Sequence, residues 1–378
     1  MSGNSTISIN LARLRSDRGL TQAALSEKAG ISRVALGKIE RGEVEPRADT
    51  LAYLAEALRA DLRELVSSVA SLAGVRFRAK KRVNTRQQIL AEVSTWLQSY
   101  VWLESELGLY EPFVLEELVG RDLSEEDLAS EARAHLGLDR KDAIRDICGL
   151  LEDNGVRVLL LDKKTDAFFG LSVAPNGGGP AVVVNTWDRI SVERWIFTAA
   201  HELGHILLHR DAYDRGSSEE RDQEERDADR FASYFLMPAP GFDSEWEQTR
   251  GLSLLMRVLK VKRMFRVSYK TVLHRLVDSG RESKKVWKAF QVQHKQHFSS
   301  TLRKVDEPKK LEQGEFRLDW SRSGEPDGLS ETDFIQDRLS RLVRLALEKN
   351  SISLNRAAEI LKLSRQEMRA LSSSWAAS

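Results

Sequence analysis

The stretch Phe197-Thr198-Ala199-Ala200-His201-Glu202-Leu203-Gly204-His205-Ile206-Leu207-Leu208 decides how the central part of this chain folds. Its apolar and small side chains recur at helical spacing, so we predict a helix that is capped by Ser191 and runs to His209. On that helix His201 and His205 project from one face about one turn apart, so that both imidazoles can reach one metal ion. Glu202 is placed to take the proton of an attacking water. The stretch therefore predicts a hydrolytic zinc (Zn2+) centre.

A later acidic segment supplies the third ligand. Glu225 follows the histidine pair by about twenty residues, and Asp229 lies at i+4 from it on the same helical face. We assign Glu225 as the ligand and expect Asp229 to bond the distal nitrogen of a ligand histidine, which leaves a fourth zinc position for water. Glu224 is a rival ligand, but it lacks a matching carboxylate at i+4. His209 would lie a turn beyond the metal, so we predict that it supports the site or lies at the surface.

Length and charge set the broad class of protein. The chain has 378 residues, 58 Lys and Arg against 57 Asp and Glu, and a formal net charge of +1. This length predicts two or three domains, and the balanced charge excludes a polyanion binder as a whole. Residues 1–82, however, carry 15 basic and 9 acidic side chains, a net charge of +6. This basic excess predicts an anionic partner for the N-terminal end.

The single cysteine and the lack of long apolar runs narrow the possibilities. Cys148 lies among isoleucines and leucines, which predicts a buried thiol, and one cysteine excludes an intrachain disulfide or a thiolate zinc cluster. No apolar run approaches the roughly 20 residues that span a bilayer, and no basic and then apolar signal opens the chain. We therefore expect a cytoplasmic protein without a membrane partner.

Helix and strand signals divide the chain into segments. Two β-branched runs, at 156–161 and 181–185, precede the histidine helix and predict a small β-sheet in an otherwise helical chain. The fold class is therefore α+β and mostly helical. The predicted segments are a helix-turn-helix domain (1–66), a linker (67–83), a helical connector (84–150), a zincin-like domain (151–280), a polar connector without regular structure (281–330) and a C-terminal helical, helix-turn-helix-like segment (331–378).

The N-terminal segment has the caps and the turn of a DNA-binding motif. Thr21-Gln22 opens one helix, Gly30 marks the turn, and Ser32 opens the next helix. In these features residues 7–66 resemble the Cro/C1-type helix-turn-helix domain, also called the XRE family. The resemblance implies a five-helix domain that binds a double-stranded DNA operator, with family members usually binding as homodimers on inverted repeats.

The same resemblance implies which residues contact DNA. Ser32, Arg33, Val34 and Lys38 would face the major groove, where Arg33 can fork onto a guanine and Val34 can touch a thymine methyl. Gln22 and Arg41 would hold phosphates. Arg15 and Glu40 occupy positions at which the family often has a buried ion pair. The alternative is a helical protein-interaction module with a basic surface.

The central segment resembles a family of metallopeptidases. Thr198-Ala199-Ala200 before the histidines and the run Phe231-Ala232-Ser233-Tyr234-Phe235-Leu236-Met237-Pro238 after them are similar to the ImmA/IrrE family, over about residues 150–280. The resemblance implies that His201, His205 and Glu225 hold zinc while Glu202 shuttles a proton to the leaving amine. It implies cleavage of a repressor, the chain itself or a partner protein, in response to a stress or mobile-element signal. A preceding strand, 181–185, is expected to pair with the extended substrate.

Two other functions stay open. The zincin fold can serve as a small-molecule sensor without proteolysis, for example of acyl-CoA esters, and a weaker reading is an antitoxin-like DNA binder. At the C-terminus, the pattern of residues 351–367 is typical of a helix-turn-helix. Because its exposed residues include Glu359 and Glu367 and few cations, we favour a packing or dimerisation unit over a DNA reader there.

Overall fold

The structure is a computed structural model that describes residues 6–60, 62–66, 75–79, 86–214, 222–303, 306–308 and 329–376. These residues are mostly helical and contain one four-stranded sheet, which confirms the predicted α+β class. They divide into two compact units, Met1–Leu72 with Lys81–Leu103 and Ala73–Lys80 with Glu104–Ser378. None of the described helices has both the length and the apolar character that crossing a membrane requires.

The first unit contains the predicted five short helices and most of a longer one. The helices are α1 (Thr6–Asp17), α2 (Gln22–Lys28), α3 (Arg33–Glu40), α4 (Ala48–Leu58), α5 (Leu62–Val66) and α6 (Arg86–Leu107). Leucines from four of the short helices, Leu11, Leu25, Leu36 and Leu54, are completely buried and form the centre of its core. Burying this many large side chains is what holds helices of only two or three turns together.

The second unit is built around a mixed sheet. Its strands are β1 (Val75–Ala79), β2 (Arg157–Leu161), β3 (Phe168–Val173) and β4 (Ala181–Asn185), in the order β1-β3-β4-β2. β2 and β4 are parallel, and β3 is antiparallel to both of its neighbours. The helices of this unit that follow α6 are α7 (Glu125–His135), α8 (Ile147–Asp153), α9 (Val192–Leu208), α10 (Arg210–Asp214), α11 (Asp222–Leu236), α12 (Ala239–Gln248), α13 (Leu254–Phe265), α14 (Tyr269–Asp278), α15 (Val286–Phe298), α16 (Arg338–Glu348), α17 (Leu354–Leu361) and α18 (Arg365–Ala376).

The sheet contradicts one prediction and contains one strand that was not predicted. β4 is bonded to β3 on one side and to β2 on the other, so the prediction that 181–185 pairs with a substrate is wrong. The strand beside the outer edge of β3 is β1, and β1 lies inside the segment predicted to be a linker. The five residues of β1 do alternate apolar and basic side chains, but the run is short and lies in a Ser-, Ala- and Arg-rich segment, and its register depends on residues far along the chain, so the sequence pattern predicted a linker instead.

The segment predicted as a connector without regular structure contains a helix. α15 (Val286–Phe298) has Val286, Phe290 and His294 buried at i, i+4 and i+8. The polar residues between them, Lys288, Gln291 and Gln293, and the buried histidine itself hid this stripe, which packs onto the core of the second unit. Cys148 is completely buried, as predicted, and burial raises the pKa of its thiol.

Candidate metal centre and nucleic-acid interface

The N-terminal motif has the caps that its sequence predicts. The Thr21 hydroxyl accepts a hydrogen bond from the Ala24 amide, and the Ser32 hydroxyl accepts one from the Ala35 amide, both at 3.1 Å. Gly30, between the two helices, has a φ of +66°, which favours glycine. Local sequence therefore fixes where α2 ends and α3 begins.

The residues predicted to contact DNA fall into two groups. Arg33, Val34 and Lys38 are exposed on α3, and Val34 keeps 69% of its surface accessible, which is unusual for a valine. The other three have partners within the chain: Ser32 is the helix cap, the Gln22 amide donates to Glu40 at 2.6 Å, and Arg41 pairs with Glu43 at 2.6 Å. Of these six residues, Arg33, Val34 and Lys38 are therefore the ones whose side chains face solvent without a described partner in the chain.

An ion pair holds the base of this motif. Arg15 Nε donates to Glu40 Oε1 at 2.5 Å, and both side chains are mostly buried, as the resemblance implies. Glu40 also accepts the Gln22 amide, so one carboxylate joins α1, α2 and the end of α3. Because desolvation offsets much of the attraction in a buried ion pair, we expect this pair to orient the helices more than it stabilises the fold.

The histidine helix forms as predicted and brings three donors together. Ser191 caps α9, and His201 and His205 lie on its buried face. Glu225, in the first turn of α11, approaches both: Oε2 is 3.5 Å from His201 Nε2, and Oε1 is 3.2 Å from His205 Nε2. One ligand atom from each residue lies within 4.8 Å of the others, so the three can hold one metal ion.

Glycine between the histidines makes this approach possible. A Cβ atom on Gly204 would lie 2.9 Å from Phe231 Cδ1 and 3.4 Å from the Cα atom of Ala228. Any larger residue would therefore force the buried Phe231 ring, or α11 itself, to move. The small side chain sets the helix spacing that lets Glu225 reach the histidines.

The outer nitrogens of both histidines are also engaged. His201 Nδ1 lies 2.8 Å from Oδ1 of Asp229, the residue expected to bond a ligand histidine. His205 Nδ1 lies 2.9 Å from His209 Nδ1. Burial and the neighbouring His201 lower the pKa of His205 well below its usual value, so this imidazole is neutral near pH 7. A neutral imidazole whose outer nitrogen is held presents its Nε2 lone pair inward, as a zinc ligand must.

A chain of hydroxyl groups orients Glu202, which is completely buried. Ser172 Oγ, on β3, donates to Glu202 Oε2 at 2.8 Å, and the Tyr213 hydroxyl donates to Ser172 Oγ at the same distance. Burial raises the pKa of Tyr213, so its proton stays in place. No sequence pattern indicated Ser172 or Tyr213, because neither lies near the histidine motif in the chain.

A cation from β1 also reaches the centre. Arg76 donates to Glu224 Oε2 at 2.5 Å and to Glu225 Oε1 at 3.2 Å, and only 9% of its side chain is exposed. Burial lowers the pKa of Arg76, but the hydrogen bonds and charges of the two glutamates outweigh it, so the pKa is raised and the cation persists. Glu224 is thus the partner of Arg76, whereas Glu225 faces both the cation and the histidines.

Comparison with known proteins gives two matches along the chain. Residues 151–277 match the model of the M78 peptidase family, described as the IrrE N-terminal-like domain, and residues 11–65 match a helix-turn-helix family model. An uncharacterized HTH-type transcriptional regulator of Sinorhizobium fredii is 43% identical over 58 residues, which are 15% of this chain and 75% of that protein. The matches coincide with the two sites described above.

Proposed function

Because this chain belongs to the XRE-type helix-turn-helix transcriptional regulators and carries an IrrE N-terminal-like domain, we propose that it is a DNA-binding regulator whose central domain is a zinc-dependent peptidase. Its substrate is a repressor protein, either this chain or a partner, and cleavage answers a stress or mobile-element signal. A homodimer that binds a palindromic operator fits the N-terminal helix-turn-helix domain. The observation that carries the peptidase proposal is the convergence of His201, His205 and Glu225 around one point, beside a buried Glu202.

The donor set fits zinc. Two neutral imidazole nitrogens and one carboxylate oxygen are the ligands found in glutamate-type catalytic zinc centres, and a zinc ion bound there supplies a Lewis acid and a water of lowered pKa. Asp229 and His209 hold the outer nitrogens of the histidines. The chain thus provides both the ligands and the groups that orient them.

Glu202 is the general base and acid in this proposal. Ser172 donates to one carboxylate oxygen and Tyr213 supports Ser172, so the carboxylate keeps one orientation while a proton moves to it and then to the leaving amine. A hydrogen bond from a neutral hydroxyl lowers the basicity of a carboxylate less than pairing with a cation does.

The strand next to β3 supports cleavage of an extended segment. β1 lies antiparallel along β3, with Val75 opposite Val173 and Phe77 opposite Leu171. Addition of a strand to a sheet edge is a common way in which proteins bind extended peptides. Here a part of the predicted linker itself occupies that edge, which makes the linker a candidate substrate in cis.

Complete burial favours a second candidate function. His201, Glu202 and His205 each have no exposed surface, and β1 covers the edge of β3. A closed centre of this kind also suits a regulator that senses a small molecule without cutting a peptide bond. In that case DNA affinity depends on a ligand such as an acyl-CoA ester and not on Glu202.

One pair of variants separates the two functions. Full-length zinc-loaded protein is incubated alone and with candidate repressors, and the products are mapped by mass spectrometry for the wild type, Glu202→Gln and the surface control Glu117→Gln. We expect zinc-dependent cleavage that Glu202→Gln abolishes, with a loss of about a thousandfold or more and zinc content unchanged. If the wild type and Glu202→Gln regulate identically in cells and neither is cut, the peptidase proposal fails.

A further inference from the structure

Helices α17 and α18 repeat the geometry of α2 and α3 at a constant offset of 332 residues. Ser353 corresponds to Thr21, and its hydroxyl accepts from the amide three residues on at 3.2 Å, against 3.1 Å for Thr21. Ser364 corresponds to Ser32, and the same bond measures 3.2 Å against 3.1 Å. Both helices of each pair therefore begin at equivalent positions.

The turn between the helices is also the same. Lys362 has a φ of +57° where Gly30 has +66°. The amide of the next residue bonds back in both: Leu363 to Ala358 at 2.9 Å, and Ile31 to Ser26 at 3.0 Å. A lysine in this left-handed conformation is strained relative to glycine, so the surrounding structure must favour this turn.

The interior of the two motifs matches as well. Met368 is completely buried at the position of Leu36, in the first half of the second helix. Ala357 is likewise buried at the position of Leu25.

The exposed face of α18 is cationic. Arg365 stands at the position of Arg33, and Arg365, Gln366 and Arg369 are all exposed along the first turn and a half of the helix. Within the described part of the chain, neither Arg365 nor Arg369 forms an ion pair. The whole predicted C-terminal segment, residues 331–378, carries eight basic and six acidic side chains, a net charge of +2. The cationic character is thus local to the start of α18.

The acidic side chains that weighed against DNA binding are engaged within the motif. Glu367 turns back and accepts the Ser364 amide at 2.7 Å, which completes the helix cap. Glu359 pairs with Arg356 at 3.0 Å, one turn away. Glu359 is thus paired with a cation, and Glu367 is held against the helix cap.

We propose that α17 and α18 form a second helix-turn-helix that contacts double-stranded DNA. Arg365 and Gln366 enter the major groove at the start of α18, where arginine and glutamine read guanine and adenine, and Arg369 contacts the groove edge or a phosphate. One chain then carries two DNA-contacting motifs, and each protects its own tract of base pairs. This inference does not depend on the peptidase activity.

The test uses full-length protein and a DNA fragment selected by the wild type from a random-sequence pool. Hydroxyl-radical footprints and affinities are compared for the wild type, Arg365→Ala/Arg369→Ala, Arg33→Ala/Lys38→Ala, and the surface control Arg250→Ala/Arg303→Ala. We expect two protected tracts in the wild type and the selective loss of one tract in each of the first two variants. Arg365→Ala/Arg369→Ala lowers affinity about tenfold or more and reduces the salt slope by about 2, while the control stays within about twofold.

Sedimentation of each variant separates DNA contact from dimerisation. An unchanged molecular mass together with a lost tract supports the proposal. It is overturned if the wild-type footprint is confined to the tract lost in Arg33→Ala/Lys38→Ala, or if Arg365→Ala/Arg369→Ala binds as the wild type does. It is also overturned if affinity falls only together with a fall in mass, which would make the segment a dimerisation unit. Because both arginines are exposed, their replacement is not expected to unfold the helices, and circular dichroism checks this.

Discussion

Two elements meet at Glu225, and they are specified in opposite ways. α9 brings His201 and His205 on a long apolar helix whose cap, periodicity and small residues are all visible in local sequence. β1 brings Arg76 on a short strand whose position depends on pairing with β3, far along the chain. Local patterns thus predict the donors of the centre, whereas the cation that faces them follows only from tertiary pairing.

The largest expected effect tests whether Glu225 belongs with the histidines or with Arg76. Glu225→Gln removes the carboxylate that faces both Nε2 atoms, and we expect zinc affinity to fall by at least about 100-fold. The neighbouring Glu224→Gln removes only the partner of Arg76, so affinity should change by less than about threefold. Competition with a fluorescent chelator measures both.

An equal loss in the two variants would contradict this division. It would mean that the pair of glutamates acts as one unit and that β1 helps to form the metal centre. A loss confined to Glu224→Gln would instead make Glu224 the ligand, which is the rival assignment that sequence left open.

How far sequence predicts the centre follows from the range of each interaction. The caps at Ser191 and Ser32, the histidine helix and the acidic helix depend on neighbours within a few turns, and the structure has each of them. Ser172 and Tyr213 escaped prediction because a lone serine or tyrosine carries no pattern. α15 escaped because its buried positions include a histidine, which composition marks as polar.

The pH dependence of the free energy of unfolding tests whether water is excluded from the interior beside α9. Burial lowers the pKa of His209 to about 4, helped by the charge of Arg76, whereas an unfolded histidine titrates near 6.5. As the pH falls, His209 therefore takes up a proton in the unfolded chain before it does so in the folded protein. The contribution of neutral His209 to the free energy of unfolding is complete above pH 6.5 and is lost as the pH falls towards 4. Between pH 7 and pH 5 we expect His209 to cost about 2 kcal/mol in the free energy of unfolding.

Urea unfolding of metal-free protein at the two pH values measures this cost. His209→Asn removes the titration and should flatten the pH dependence by that amount, while the exposed control His135→Asn should leave it unchanged. Arg76 stays charged at both pH values, so it does not change the free energy of unfolding with pH. The α9 side of the centre, with His209, therefore responds to pH, and the β1 side, with Arg76, does not. An equally steep curve for His209→Asn would show that water reaches this histidine.

The smallest expected effect concerns Arg76 itself. The Arg76 guanidinium donates to Glu225 Oε1, the oxygen that also faces His205 Nε2. It therefore competes with a bound cation in two ways, because it occupies this oxygen and repels a second positive charge. Arg76→Met removes both effects and leaves the backbone pairing of β1 with β3 in place, so zinc affinity should rise by about three- to tenfold. Arg76→Lys keeps the charge without the fork and should lie between the two. If Arg76→Met instead weakens zinc binding, the strand orients the ligand rather than competing with the metal, and β1 then belongs to the centre as fully as α9 does.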